Sequence, residues 1–209
     1  MVSVRSQHKL WLILVVFIIC ILACSGCLQR VRSYIPNQFL VDGWYENTGL
    51  QNTGLQLFGF EQWVSVTYEV HGRFPALLTI TTVKTLLLAN EEQLFIKTKQ
   101  NLEQTFTCAI RILNQTEGQR FNAQAHHTYF VVYTGIHLKT NESVRIIGEV
   151  WNCGVTGSSI ICVGIAHLTN ANYPQQQNLD QWQMLVADPQ GTIDGFNGST
   201  GLIYNVCCH

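Results

Sequence analysis

The chain has 209 residues, 47% of them hydrophobic and only 12% charged, with a formal net charge of −1. No Lys or Arg follows Arg145, so the last third lacks the basic footprint that a nucleic-acid binder needs, and that class is excluded. About 180 residues lie beyond Cys27, one domain's worth of chain.

The chain opens on a basic stretch with Arg5, His8 and Lys9, and no acid occurs before Asp42. An unbroken apolar run from Leu10 to Cys24 follows, at the upper limit of a signal-peptide core. Ser25-Gly26-Cys27 closes it, and Ile21-Leu22-Ala23-Cys24 overlaps it. This ending resembles the lipobox of archaeal and bacterial exported lipoproteins, in which small residues precede a cysteine that is cleaved and lipidated. The resemblance implies lipidation at Cys27, with Cys24 as the second candidate; the usual aliphatic residue three places before Cys27 is replaced by Cys24. The alternative is an uncleaved signal anchor with Trp11 at the interface. Residues 1–27 are therefore expected to be a signal peptide or membrane anchor that places the body of the protein on the extracytoplasmic side. A single acyl chain holds only marginally, so lipid anchoring needs a second chain or polar attraction.

Residues 28–54 are polar and rich in Asn, Thr and Gly, which reads as a tether ahead of a single domain at 55–209. From Leu55 the apolar period becomes two. Val64, Val66, Tyr68 and Val70 alternate with Ser65, Thr67 and Glu69 as in a half-buried strand. His71-Gly72-Arg73 turns the chain into a second strand over 76–86, expected to pair antiparallel with the first. Asn90-Glu91-Glu92-Gln93 is a capping-box pattern, and Phe95, Leu102 and Phe106 give the following helix one apolar stripe. Strands are expected over 128–137, 143–152 and 159–168, the last two joined by Gly154-Val155-Thr156-Gly157-Ser158. A second helix over 178–187 carries Leu179, Trp182 and Val186 inward and stops at Asp188-Pro189. The Gly-rich remainder has one candidate strand at 201–206.

This order predicts an α+β domain, an antiparallel sheet of about five to six strands covered by two main helices. From Leu55 to Ala187 it resembles the Mog1/PsbP-like fold, a class also used by exported lipoproteins. That resemblance implies binding of partners rather than turnover.

Five cysteines fall within the domain: Cys108, Cys153, Cys162, Cys207 and Cys208. With an export leader they predict at least one disulfide. A hairpin centred between Gly157 and Ser158 would set Cys153 across from Cys162; the rival is that either bonds Cys207 or Cys208 and pins the tail to the sheet. Cys207-Cys208-His209 offers two thiolates and an imidazole to a metal, although three adjacent residues cannot wrap one ion. Asn114, Asn141 and Asn197 each begin a glycosylation acceptor triplet.

For catalysis, Cys108 with His126 or His127 is the one loose nucleophile–base combination, and no local signature joins them. Glu149 and Asp188 have no partner that spacing identifies. The reading is therefore a membrane-tethered binding or accessory domain with a protein or small-ligand partner and no cofactor. Trp44, Tyr45, Trp63 and Tyr173 are its first surface candidates. The rival is a thiol- or metal-handling protein built on Cys207, Cys208 and His209, and an unusual hydrolase ranks third.

Overall fold

A computed structural model describes residues 32–56, 61–85, 88–172 and 176–209, which belong to one compact unit, Val31–His209. The leader, with Cys24, Cys27 and Trp11, lies outside the described residues, as does Tyr173. Among the described residues, no helix is long and apolar enough to cross a membrane.

Among the described residues the domain is α+β, with eight strands and two α-helices. The strands are β1 (Tyr45–Glu46), β2 (Asn52–Gln56), β3 (Glu61–Val70), β4 (Ala76–Thr85), β5 (Ile110–Phe121), β6 (His127–His137), β7 (Ser143–Cys153) and β8 (Ser158–His167). Helix α1 (Glu91–Phe106) joins β4 to β5, and α2 (Asp180–Val186) follows β8. All pair antiparallel in the order β1-β3-β4-β8-β7-β6-β5, with β2 lying beside β1 along the same edge of β3.

The sheet is covered on both faces. Leu78, Ile80, Phe130, Ile147, Trp151, Ile160 and Cys162 point to one face, where α2 and the segment after it supply Trp182, Leu185, Leu202, Ile203 and Val206. Val131, Tyr133, Val144 and Ile146 point to the other, under Leu102 of α1. The long strands alternate because successive side chains leave opposite faces. α1 starts where its cap dictates: the Asn90 side chain accepts from the backbone N–H of Glu92 at 3.0 Å and of Gln93 at 3.2 Å. Leu102 settles over Gly148, where a Cβ would stand 2.4 Å from Leu102 Cδ1, so the missing side chain sets how closely α1 approaches β7.

Three expectations need correction. The strand count exceeds five to six because β1, β2 and β5 are edge strands with polar sequences; β5 buries only Ile110 and Arg120, which leaves no alternation to read. Residues 33–54 are not a free tether. Ser33 N–H donates to Thr82 Oγ1 at 2.9 Å, Ile35 N–H donates to the Tyr68 hydroxyl at 3.0 Å, and Trp44 is buried. Most of their polar side chains stay exposed, so the segment looks like a tether in sequence while a few buried contacts fix it to the sheet. The Gly-rich tail likewise forms no strand over 201–206; it folds back as buried turns.

That tail completes α2. The last carbonyls of a helix lack intrahelical donors. Here Met184 O accepts from Leu202 N–H at 2.7 Å, Leu185 O from Ile203 N–H at 3.2 Å, and Val186 O from Arg120 Nη1 at 2.5 Å.

Candidate metal and thiol centre

Three separate segments converge at one end of the sheet: the last residue of β7, the loop between β5 and β6, and residues 207–209. The loop is shaped by Asn122, whose Oδ1 accepts from the backbone N–H of Gln124 and of His126, each at 3.0 Å. Ala125 takes a positive φ of 59° to complete the bend. Extending the β6–β7 pairing, in which Tyr129 faces Val150, brings His126 opposite Cys153. From the other side, Cys207 pairs with Tyr34 through two backbone hydrogen bonds of 2.8 and 3.0 Å. That bridge holds Cys208 against the sheet, and Cys208 N–H donates to Gln124 Oε1 at 3.2 Å.

The result is a group of four donors, His126, Cys153, Cys208 and His209, whose ligand atoms all lie within 4.8 Å of one another. Cys208 Sγ is 3.3 Å from His126 Nε2 and 3.5 Å from His209 Nδ1, and Cys153 Sγ is 3.6 Å from His209 Nδ1. With Zn–S of about 2.3 Å and Zn–N of about 2.0–2.1 Å, a tetrahedral site needs sulfur–nitrogen edges of about 3.5 Å. All three observed separations fit. The two sulfurs are closer, at 2.7 Å. That lies between the bond length of about 2.05 Å in a disulfide and the edge of about 3.8 Å between two zinc thiolates. Cys153 and Cys208 are buried, His126 is half-buried and His209 is exposed, so the group reaches solvent on its imidazole side.

The electrostatics favour one shared proton between the sulfurs. Burial pushes the Cys153 thiol up, but hydrogen bonds from Cys208, Thr156 and His209 outweigh it and leave Cys153 below the ordinary thiol value. Burial and the facing Cys153 push Cys208 up, against a lowering influence from Trp151. The indole Nε1 of Trp151 is buried without a hydrogen-bond partner, so its N–H stands ready for a thiolate at Cys208. Burial and the neighbouring His209 lower His126, which keeps its imidazole neutral, the form that ligates metal.

The other sequence candidates are dispersed. No cysteine pair stands at disulfide distance among the described residues; Cys108, Cys153, Cys162, Cys207 and Cys208 are all free. Cys153 does not face Cys162, because the hairpin register is two residues off from the expected centre: Cys153 faces Ser158, and Cys162 faces Glu149. Cys162 is wholly buried, which pushes its thiol well up. Cys207 does not join His209 and Cys208 in the donor group; its thiol faces Asn205 O at 3.8 Å. Cys108 precedes β5 and His126 follows it, so a strand of 12 residues separates them by roughly 35 Å, and they cannot act together as nucleophile and base. Asn114, Asn141 and Asn197 are all exposed, Asn141 in a turn at φ 59°. Of the aromatic surface candidates, Trp44 is core, its Nε1–H donating to Gln181 Oε1 at 2.7 Å, whereas Tyr45 is exposed and donates to Glu69.

Glu149 and Asp188 do have a partner, which spacing did not reveal. Arg120, at the far end of β5, donates through Nε and Nη2 to Glu149 at 2.9 and 2.6 Å and through Nη1 to Asp188 at 2.9 Å. Thr128 adds a bond to Glu149 at 2.7 Å. All three charged side chains are essentially inaccessible to water. Four hydrogen bonds and almost no accessible surface make this guanidinium a structural anchor. No family model matches the chain, and no curated protein matches it.

Proposed function

We propose that this chain is a metal-binding domain held by its leader on the extracytoplasmic side of a membrane, and that its ligands are His126, Cys153, Cys208 and His209. The observation that carries the reading is the convergence of two sulfurs and two imidazole nitrogens from three distant segments within 4.8 Å. A Cys2His2 donor set suits zinc or a comparably borderline ion. Bound there, the ion would cross-link β7, the 122–126 loop and the 207–209 segment, a binding role without turnover of the kind that the Mog1/PsbP-like resemblance implies. The half-exposed imidazole side gives the ion a route in and out.

Reduced full-length protein in detergent is expected to take one zinc ion per chain in competition with a chromophoric chelator. Cobalt in its place should give thiolate-to-metal charge transfer and intense tetrahedral d–d bands. Cys208→Ser and His126→Ala should each abolish the charge-transfer intensity or distort the d–d bands, while Cys108→Ser changes neither. Failure of the reduced protein to bind either ion stoichiometrically would remove the proposal. The tether is tested on the mature N-terminus: a diacylglycerol adduct on Cys27 or Cys24 is expected, and an intact Met1 with no adduct would replace the lipid with an uncleaved anchor.

A further inference from the structure

We infer that Cys153 and Cys208 form a redox gate on this centre: the two sulfurs that would hold the ion can instead join to each other, and joining them expels it. The inference rests on the metal-binding reading above and concerns how that site is regulated.

The geometry sets the two states against each other. With their Sγ atoms 2.7 Å apart, the sulfurs must separate by about 1 Å to become two vertices of a zinc tetrahedron. They must close by about 0.6 Å to form a bond. Both movements are small, and each forbids the other, because the lone pairs that bind zinc are the ones consumed in the disulfide. The two imidazoles that remain are half of the donor set. Trp151 Nε1, buried and unpartnered, offers a donor to the thiolate in the metal-bound state.

The remaining thiols are placed where they do not compete. Cys162 is enclosed on β8 opposite Glu149, Cys207 faces Asn205 O, and Cys108 lies beyond the opposite end of β5. The pair joins positions 55 residues apart, so the bond would fix the tail to β7 just as the ion does, and the fold survives the exchange while the metal does not.

The step balances with a small disulfide as oxidant. A zinc dithiolate, one R–S–S–R and two protons give the Cys153–Cys208 disulfide, two R–SH and free Zn2+. The sulfur–sulfur bond of the oxidant breaks, that of the protein forms, and the two thiolates are oxidised as the small disulfide is reduced.

The test uses the full chain, reduced, loaded with zinc in detergent and then exposed to excess oxidised glutathione. Zinc release is followed with a chromogenic chelator, and pairing is read from peptide mass maps. Zinc is expected to leave in step with the loss of two thiols. One cross-linked peptide joining Cys153 to Cys208 should appear, and reductant should restore binding. A Cys108→Ser/Cys162→Ala/Cys207→Ser background should behave the same way, because it keeps only the two gate sulfurs in the domain. Zinc that stays bound after the Cys153–Cys208 bond has formed, or a map showing another pairing, overturns the gate and leaves the metal reading standing. If the reduced chain takes no zinc although the pair still bonds, the metal reading fails and the gate falls with it.

Discussion

Arg120→Ala is expected to destabilise the domain by about 3–5 kcal/mol, the loss found when one partner of a buried ion pair is removed, and to lower the thermal midpoint by about 10 °C or more. Arg120 ties together β5, β7 and the end of α2 through Glu149, Asp188 and Val186 O. Removing it leaves two carboxylates with no accessible surface, and desolvation without pairing is what makes the change severe. The double variant Arg120→Met/Glu149→Met should recover part of the loss. It leaves only Asp188, which still accepts from Gln190 N–H, Thr192 N–H and the Thr192 hydroxyl. Denaturant unfolding decides the matter: an unchanged midpoint for Arg120→Ala would show that the triad contributes nothing. The same site shapes the acid limb. Burial alone would raise the Asp188 carboxyl, but Arg120 and the Thr192 and Gln190 N–H groups hold it below its ordinary 3.8. Its stabilisation is therefore complete above about pH 4 and is lost as pH falls through the lower folded value. By contrast, removing Lys99, paired with Glu117 on the surface, should change stability little.

Gly201→Ala is expected to cost about 3 kcal/mol, although it adds only one methyl group. A Cβ at Gly201 would stand 2.0 Å from Ala187 O and 2.8 Å from both Ala187 N and Ala187 C. These are backbone atoms and cannot swing aside. The contact is close because Leu202 and Ile203 donate to the last carbonyls of α2, so relief of the clash means breaking those bonds. Gly198→Ala is the control, since its Cβ would meet Ala187 Cβ at an ordinary 3.8 Å. Equal unfolding midpoints for the two variants would show that the tail is not docked as described.

The long central strands were legible because a buried sheet imposes a period of two on residues such as Val64, Val66, Tyr68 and Val70. The start of α1 was legible because Asn90 needs only the N–H groups two and three residues ahead. β5 was not, since an edge strand with one polar face and one free edge has no burial pattern to display. At the candidate centre, His126, Cys153, Cys208 and His209 each stand out as residue types, but the sequence leaves two partners open for Cys153. The structure sets it beside Cys208 and not across from Cys162, because the turn centre lies two residues before the expected one. Glu149 and Asp188 lack a partner in the sequence because Arg120 lies 29 and 68 residues away from them.

The amino-acid sequence by itself determined the α+β class, the central strands, the two helices and the residue types able to bind metal, because each of these depends on neighbours within a few positions. Only the tertiary structure decided which cysteine meets which histidine and where the buried arginine finds its carboxylates. Those contacts depend on strand register and on how the chain beyond α2 folds back, and a shift of two residues in either exchanges every partner.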